Sequence, residues 1–176
     1  DSVVTIGYKS FCGAELESVT IPDSVTYIDY QAFSYCSNLE SITIPDDITD
    51  IDTYAFMDTA YYYNENNWYN DVLYIGNHLI EAKSDISGLC EIKPGTKIIT
   101  GTAFYYCTEL KNVTIPDSVI HIGNKAFYGC ESLESITIPD SVRSIGVDVF
   151  LDCYELESIV VPEGVTELVP CLFWDN

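Results

Sequence analysis

A single spacing of 23 residues constrains what this chain can fold into. Every phenylalanine falls close to this spacing, at intervals of 22, 23, 48, 23, 23 and 23 from Phe11 to Phe173. The prolines of a repeated Ile-Pro-Asp step agree, since Pro22 and Pro45 are also 23 residues apart. A unit of this length cannot bury its own apolar side, so neighbouring units must stack with equivalent positions in register. The sequence therefore predicts a repeat solenoid in which the phenylalanines form one continuous internal column.

Each unit contains one short segment with the alternation of a β-strand. The cleanest unit, 115–139, reads IPDSVxxIGxxAFxxCxxLxSITIP and ends in the pattern L-x-x-I-x-I. Successive residues of a strand point to opposite faces, so Ile136 and Ile138 are predicted in the core while Ser135 and Thr137 face solvent. The expected fold is mainly β: a leucine-rich-repeat solenoid with a parallel β-sheet on one face and short extended or turn segments on the others.

The period breaks once, between Phe56 and Phe104. The segment 61–70 is polar and aromatic without any repeat pattern, and it is predicted to be a loop. Two apolar alternations follow, separated by Gly76-Asn77, which is typical of a β-hairpin because a two-residue turn needs positive φ. This unit is predicted to be an irregular β-hairpin unit.

The organisation expected from these patterns is one domain, 1–176. Regular units at 1–56 and 93–176 flank the irregular hairpin insert at 57–92. Both ends of the chain fall inside a unit, and a solenoid normally ends in capping units. We therefore expect a fragment of a longer array.

Charge excludes two classes of partner. The chain has 7 Lys and Arg against 28 Asp and Glu, a formal net charge of −21. Nucleic acids and anionic membrane surfaces both require basic side chains, so neither is an expected partner. No apolar stretch approaches the roughly 20 residues of a membrane span, so membrane insertion is not expected.

The repeated segments resemble a known family. They read LESVTIPDSV (16–25), LESITIPD (39–46), LKNVTIPDSV (110–119) and LESITIPDSV (133–142), each joined to an A-F-x-x-C turn. In this pattern the chain is similar to the BspA-like leucine-rich-repeat family, bacterial and protist cell-surface repeat proteins. The resemblance implies an extracellular or cell-surface module without catalytic activity, used for recognition or adhesion. Its expected partner is a protein ligand such as extracellular matrix or a host surface, and the alternatives are a carbohydrate-binding module or a structural spacer.

Catalytic and metal chemistry is not indicated. Cysteines recur three residues after phenylalanine, and a row of side chains spaced along a stack does not converge on one metal ion. We expect them to be buried, reduced thiols: Cys36, Cys107, Cys130 and Cys153. The pattern leaves Cys12, Cys90 and Cys171 unassigned. His78 and His121 lack partner motifs, His121 is expected to be solvent-exposed, and neither a cofactor nor a metal is predicted.

Two surfaces are candidates for recognition. The outward positions of the predicted strands form a rigid platform, although a solvated sheet also simply favours Ser and Thr. Its residues are Ser18, Thr20, Ser41, Thr43, Thr114, Ser135 and Thr137, with Glu134 and Glu157 beside them. The second candidate is the aromatic segment, since exposed Tyr and Trp are typical of interfaces and sugar platforms. Its rings could instead pack over the hairpin and fill the broken repeat: Tyr61, Tyr62, Tyr63, Trp68 and Tyr69.

Overall fold

A computed structural model describes residues 3–46 and 48–165, and Cys171 and the Phe173 position lie outside them. The first turns of the solenoid contain β1 (Thr5–Ile6), β2 (Ser18–Thr20), β3 (Tyr27–Ile28), β4 (Ser41–Thr43) and β5 (Asp50–Ile51). The irregular unit contains α1 (Ala60–Tyr63), a 3-10 turn (Glu65–Asn67), β6 (Trp68–Tyr69), β7 (Val72–Ile75), β8 (His78–Ala82) and β9 (Gly88–Glu91). The last turns contain β10 (Ile98–Ile99), β11 (Leu110–Thr114), β12 (His121–Ile122), β13 (Ser135–Thr137) and β14 (Ser144–Ile145).

The mainly β solenoid predicted from the repeat is confirmed. Strands one unit apart pair in parallel, as in Ser18 with Ser41 and Ile136 with Val113. Strands of three to five residues form two sheets, β2-β4 and β13-β11-β9. The two-residue strands form the sheet β1-β3-β5 and, together with the hairpin strands β7 and β8, the sheet β14-β12-β10-β8-β7-β6. In the part of the chain that the structure describes, no helix is long and apolar enough to cross a membrane.

Each described phenylalanine lies in a tight turn with a recurring backbone conformation. The N–H groups of Phe11, Phe33, Phe104 and Phe127 donate to the carbonyl of the residue before the next phenylalanine, for example Phe104 to Ala126 at 2.7 Å. Residues two positions before and two positions after each described phenylalanine have φ between +52° and +71°. These residues are Lys9, Gly13, Gln31, Tyr35, Tyr54, Asp58, Thr102, Tyr106, Lys125, Gly129, Asp148 and Asp152. Left-handed backbone on both sides lets the chain reverse within five residues and point the ring inward.

The irregular unit contains the predicted hairpin. β7 and β8 are antiparallel and joined by Gly76-Asn77, with Gly76 at φ +59° as a two-residue turn requires. The predicted loop at 61–70 is wrong, because Thr59 caps α1, Asn64 caps the 3-10 turn, and β6 pairs with β7. A second two-residue turn at Asn70-Asp71, both at positive φ, joins β6 to β7. Asn and Asp tolerate that conformation, so this turn was readable from the sequence.

The prediction of one continuous phenylalanine column is wrong. Phe11, Phe33 and Phe56 stack at centroid distances of 5.1 and 5.4 Å. Phe104, Phe127 and Phe150 form a second stack at 4.9 and 5.6 Å. Phe33 and Phe56 belong to one hydrophobic cluster, and all three rings of the second stack belong to another.

The hairpin separates the two clusters because both of its faces are buried. Tyr74 packs in the second cluster while the next residue, Ile75, packs in the first. The same alternation continues in β10, where Ile98 faces the first cluster and Ile99 the second. The sheet that contains β8 and β10 therefore lies between the two hydrophobic clusters and packs against both. We call residues 3–57 the N-terminal block and residues 98–165 the C-terminal block.

Candidate functional site

The predicted strand face is exposed, but it is divided into two parts. Ser18 and Thr20 pair with Ser41 and Thr43 in the β2-β4 sheet, and all four side chains are exposed. Thr114, Ser135 and Thr137 lie exposed in the β13-β11-β9 sheet, where Thr114 pairs with Thr137. The single continuous platform expected from the repeat is therefore wrong.

The division has a local cause in the irregular unit. One period after β4, the chain forms α1 and the 3-10 turn instead of a strand. The N–H of Tyr61 donates to the carbonyl of Leu39 at 2.7 Å, which places α1 beside the segment that leads into β4. A helical turn satisfies its own backbone, so it cannot continue the ladder that β4 would otherwise offer.

The two predicted glutamates flank only the second sheet. Glu134 and Glu157 are both exposed, and Glu134 Oε1 accepts from Lys111 Nζ at 3.0 Å. Lys111 occupies the position of glutamate in its own unit, so it relieves the repulsion between stacked carboxylates. Glu157 follows Leu156 in a stretch without strand pairing among the described residues.

The five predicted aromatic side chains separate into a packed group and an exposed group. The hydroxyl of Tyr61 donates to the carbonyl of Tyr74 at 2.8 Å, and its ring packs against the first cluster. The indole N–H of Trp68 donates to the carbonyl of Tyr62 at 2.8 Å, and the two rings meet edge to face at 5.5 Å. Tyr63 and Tyr69, by contrast, are 67% and 50% exposed. The segment thus both fills the broken repeat and presents rings to solvent.

A cleft of about 440 Å³ opens where the two blocks meet the irregular unit. The N-terminal block contributes Asp52 and Tyr54, and the C-terminal block contributes Tyr105. The irregular unit contributes Tyr62, Trp68, Glu81, Lys83 and Asp85 among others. We call this the junction cleft. It brings two of the predicted aromatic residues, Tyr62 and Trp68, together with residues that were not predicted.

Glu81 is a carboxylate of the junction cleft whose pKa is raised by its surroundings. It is half-buried, and its Oε1 accepts from the Tyr62 hydroxyl at 3.0 Å. Burial raises the pKa of Glu81 above its ordinary value, because removal from water disfavours the charged form. The same loss of water, reinforced by the carboxylate, raises the pKa of Tyr62.

Sequence reasoning missed the cleft residues because they come from separate parts of the chain. A signal was nevertheless present: tyrosine recurs within four residues of the phenylalanine positions. These residues are Tyr8, Tyr30, Tyr35, Tyr54, Tyr105, Tyr106, Tyr128 and Tyr154. Tyr105, Tyr106 and Tyr128 cluster with centroid distances of 4.7 to 5.4 Å.

The repeated cysteines are buried free thiols, as the spacing predicted. The Sγ–H groups of Cys36, Cys130 and Cys153 donate to carbonyls of the preceding unit, those of Phe11, Phe104 and Phe127, at 3.0 to 3.1 Å. Burial raises the pKa values of Cys107 and Cys153 to about 12 and that of Cys90 to about 11. Among the described residues, no group of three or more His, Cys, Asp or Glu side chains could hold a metal ion.

The prediction that His121 is solvent-exposed is wrong. Its side chain is 18% exposed, its Nδ1 lies 2.7 Å from Ser144 Oγ, and its Nε2 lies 3.7 Å from Asp50 Oδ1. These are the residue types of a hydrolytic triad, but 3.7 Å exceeds hydrogen-bond length. Asp50 Oδ1 instead accepts from the N–H of Ile51 at 2.8 Å. His121 is better described as a contact between the two blocks.

The chain is similar in sequence to leucine-rich-repeat proteins. The model of a family described as "BspA type Leucine rich repeat region" matches in six copies, over residues 1–96 and 88–176. A leucine-rich cell surface protein from Faecalibacterium prausnitzii A2-165 is 31% identical, over 89% of this chain and 42% of its own, with a TM-score of 0.44. No curated protein matches the chain significantly.

Two further solved structures share the fold at lower identity. The pneumococcal vaccine antigen PcpA is 18% identical over 93% of this chain and 55% of its own, with a TM-score of 0.52. A leucine-rich-repeat protein from Eubacterium ventriosum ATCC 27560 is 22% identical over 89% and 57%, also with a TM-score of 0.52. The chain thus spans about half the length of these proteins.

Proposed function

This chain belongs to the BspA type leucine-rich repeat family, and we propose that it is an extracellular or cell-surface module that recognises a polypeptide ligand without catalysing a reaction. The cell-surface location in this proposal is based on a similar protein that is described as a leucine-rich cell surface protein. A protein ligand such as extracellular matrix or a host surface fits this location. The division into regular units at 1–56 and 93–176 around an insert at 57–92 remains part of the proposal.

The observation that carries the proposal is the number of tyrosines left in solvent. Eight of the 14 tyrosines are exposed, although the fold buries all but one of the described phenylalanines. Tyrosine offers large, rigid contact area with a polar end, and it is enriched among the residues that dominate binding energy. Six of these rings lie within four residues of a phenylalanine turn, whereas Tyr63 lies in α1 and Tyr69 in β6. Because these segments are already ordered, little order has to be gained on binding.

The strand face supports recognition in a different way. Its hydroxyl groups exchange hydrogen bonds with water for bonds with a partner, at little net gain in free energy. We propose that Ser18, Thr20, Ser41, Thr43, Thr114, Ser135 and Thr137, with Glu134 and Glu157, orient a ligand whose affinity depends on the rings.

The experiment is a binding screen followed by paired variants. Wild-type protein is measured against immobilised matrix and host-surface proteins and, in parallel, against a glycan array. For the protein ligand found, Tyr63 and Tyr69 are changed together to Ser, and Glu134 and Glu157 are changed together to Gln. We expect at least about a tenfold faster off-rate for the tyrosine pair and a change below about twofold for the glutamate pair.

Each alternative has its own outcome in this screen. Binding to glycans without any protein ligand would replace the proposal with a carbohydrate-binding module. Binding to neither would leave a structural spacer. A protein ligand lost only with the glutamate pair would assign recognition to the strand face alone.

A further inference from the structure

The junction cleft is lined by four aromatic rings, two of which are held in place by hydrogen bonds. The four rings are Tyr54, Tyr62, Trp68 and Tyr105. Tyr62 is held by its hydroxyl bond to Glu81, and Trp68 by its bond to the Tyr62 carbonyl. Such rings present a negatively polarised face, and several of them around one space are the usual environment for an organic cation.

The charge of the cleft favours the same ligand. Asp52, Glu81 and Asp85 line it, against Lys83 as the lining cation. Lys83 is already engaged by Glu65 and Asp71, each at 3.2 Å, and neither of these lines the cleft. The cleft therefore retains uncompensated negative charge, within a chain whose net charge is −21.

Glu81 has one carboxylate oxygen that is free to bind a ligand. Its Oε1 accepts from Tyr62, and in the described ranges Oε2 accepts no hydrogen bond. A half-buried carboxylate with one free oxygen gains free energy when a positive charge approaches it. Asp52 differs, because its oxygens already accept from the hydroxyl of Tyr27 and the N–H of Thr53.

Ammonium groups of this chain already lie over aromatic rings, including one ring that lines the cleft. Lys83 Nζ lies 5.3 Å from the centre of the Trp68 ring. Three other lysines, Lys9, Lys93 and Lys125, lie 5.2 to 5.7 Å from tyrosine rings. Ring faces of this chain thus repeatedly take ammonium groups as neighbours.

Other ligand classes fit the cleft less well. A hard divalent cation takes six or more oxygens, and the described residues contain no group of three or more carboxylate, histidine or cysteine ligands. An anion would meet Asp52, Glu81 and Asp85. A neutral sugar would stack on the rings but leave Glu81 uncompensated.

We propose that the junction cleft binds an organic ammonium or guanidinium group, with Glu81 as its counter-ion and Tyr54, Tyr62, Trp68 and Tyr105 around it. The group could be a free amine or the side chain of a Lys or Arg residue in a polypeptide. Only the second source rests on the proposed function, so small cations test the cleft without any protein ligand.

The experiment measures binding of n-butylammonium and of its neutral isostere 1-butanol by calorimetry at neutral pH. A capped pentapeptide with a central lysine, the same peptide with norleucine, and spermidine form the other arms. We expect saturable binding of butylammonium and at least about tenfold weaker binding of 1-butanol. Tighter binding of the lysine peptide than of its norleucine form assigns a polypeptide source, and preference for spermidine assigns a free polyamine.

Two substitutions that each remove one negative charge test whether the junction cleft is the binding site. Glu81→Gln keeps an acceptor for Tyr62 but removes the negative charge, and Glu155→Gln removes one charge from an exposed position in the last turns. We expect at least about a tenfold loss for Glu81→Gln and less than about twofold for Glu155→Gln. Tyr105→Ala, at an exposed edge of the cleft, provides a second variant if Glu81→Gln does not fold, and it too should weaken butylammonium at least about threefold.

Three results would overturn the proposal. The first is 1-butanol binding as tightly as butylammonium, and the second is equal loss in Glu81→Gln and Glu155→Gln, which would indicate only diffuse attraction to an acidic protein. The third is absence of saturable cation binding to the wild type. None of these depends on whether a protein ligand is found on the tyrosine or strand surfaces.

Discussion

At the residue scale, close approach between turns explains why glycine is needed at some repeat positions and not at others that look equivalent in the sequence. Gly7, Gly123 and Gly146 occupy the same position, directly after the isoleucine of a short strand. A Cβ at Gly123 would lie 2.4 Å from the backbone nitrogen of Gly101, and one at Gly146 would lie 2.5 Å from that of Asn124. At Gly7 the nearest atom would be Ser10 Oγ at 3.6 Å. The need for glycine therefore depends on whether another turn packs against the position.

Gly123→Ala tests this contact. Backbone atoms cannot move aside as a flexible side chain can, so we expect a loss of about 2–3 kcal/mol in the free energy of unfolding. Gly7→Ala is the matched control and should change it by less than about 0.5 kcal/mol. Urea denaturation of both variants measures the difference, and equal losses would contradict the explanation.

His78 gives a pH dependence with a defined sign. It is fully buried on β8, with Nδ1 3.2 Å from the carbonyl of Ile75, and burial lowers its pKa below 6.5. The unfolded chain then binds a proton more readily, so the stability contributed by neutral His78 is complete above pH 6.5 and is lost as the pH falls from there towards the folded-state pKa. Glu81 acts in the opposite sense, because its raised pKa favours the folded state at low pH, an effect lost as pH rises from 4.5.

The measurement compares wild type with His78→Gln, which keeps a donor for Ile75. Between about pH 7 and pH 5 the wild type should lose up to about 1.4 kcal/mol per pH unit more than the variant. The difference between the two curves isolates His78 from Glu81 and from other carboxylates. Parallel curves would show that the imidazole does not titrate differently in the folded state.

At the element scale, neighbouring turns within each block are held together by stacked rings and by hydrogen bonds from thiols to carbonyls. Phe127 lies between Phe104 and Phe150 and is fully buried, whereas Phe11 at the first turn is 43% exposed. Phenylalanine at the same repeat position therefore contributes a different amount to the free energy of unfolding in different turns.

Phe127→Ala should lower the free energy of unfolding by about 3–5 kcal/mol, because a large ring leaves a cavity in contact with both neighbouring turns. Phe11→Ala removes a ring that is already partly in water, and we expect less than half that loss. Thermal and urea unfolding of both variants measure the effect. A Phe11 variant as unstable as the Phe127 variant would show that the first turn is as tightly packed as the interior.

Burial of the repeated cysteines predicts the order in which the thiols of this protein react with an alkylating reagent. A thiol must ionise to react, and burial raises the pKa of Cys107 and Cys153 to about 12. Among the described cysteines, alkylation of the native protein should therefore begin at the half-buried Cys12, with Cys107 and Cys153 modified only after unfolding. Mass spectrometry of iodoacetamide-treated protein locates the label, and early labelling of Cys130 would indicate that the turns open locally.

At the scale of the whole molecule, the charge of −21 and the two cores have separate consequences. Charge governs approach, because long-range attraction raises the encounter rate of a basic partner and is screened by salt. For a basic polypeptide ligand, the on-rate should fall about tenfold or more between about 50 mM and 500 mM salt while the off-rate changes less than about threefold. Surface plasmon resonance separates the two rates, and a salt-independent on-rate would contradict this role of charge.

What the sequence by itself determined is everything that repeats. The period, the strand positions, the buried thiols and the Gly76-Asn77 hairpin follow from local patterns, because each regular turn meets a copy of itself one unit away. Only the tertiary structure decided what happens at the irregular unit, since Tyr61, Tyr74 and Ile75 have no equivalent in the neighbouring turns. Packing on both faces of the hairpin divides the core and the strand face, and it brings Tyr54, Glu81 and Tyr105 together across more than 50 residues of sequence.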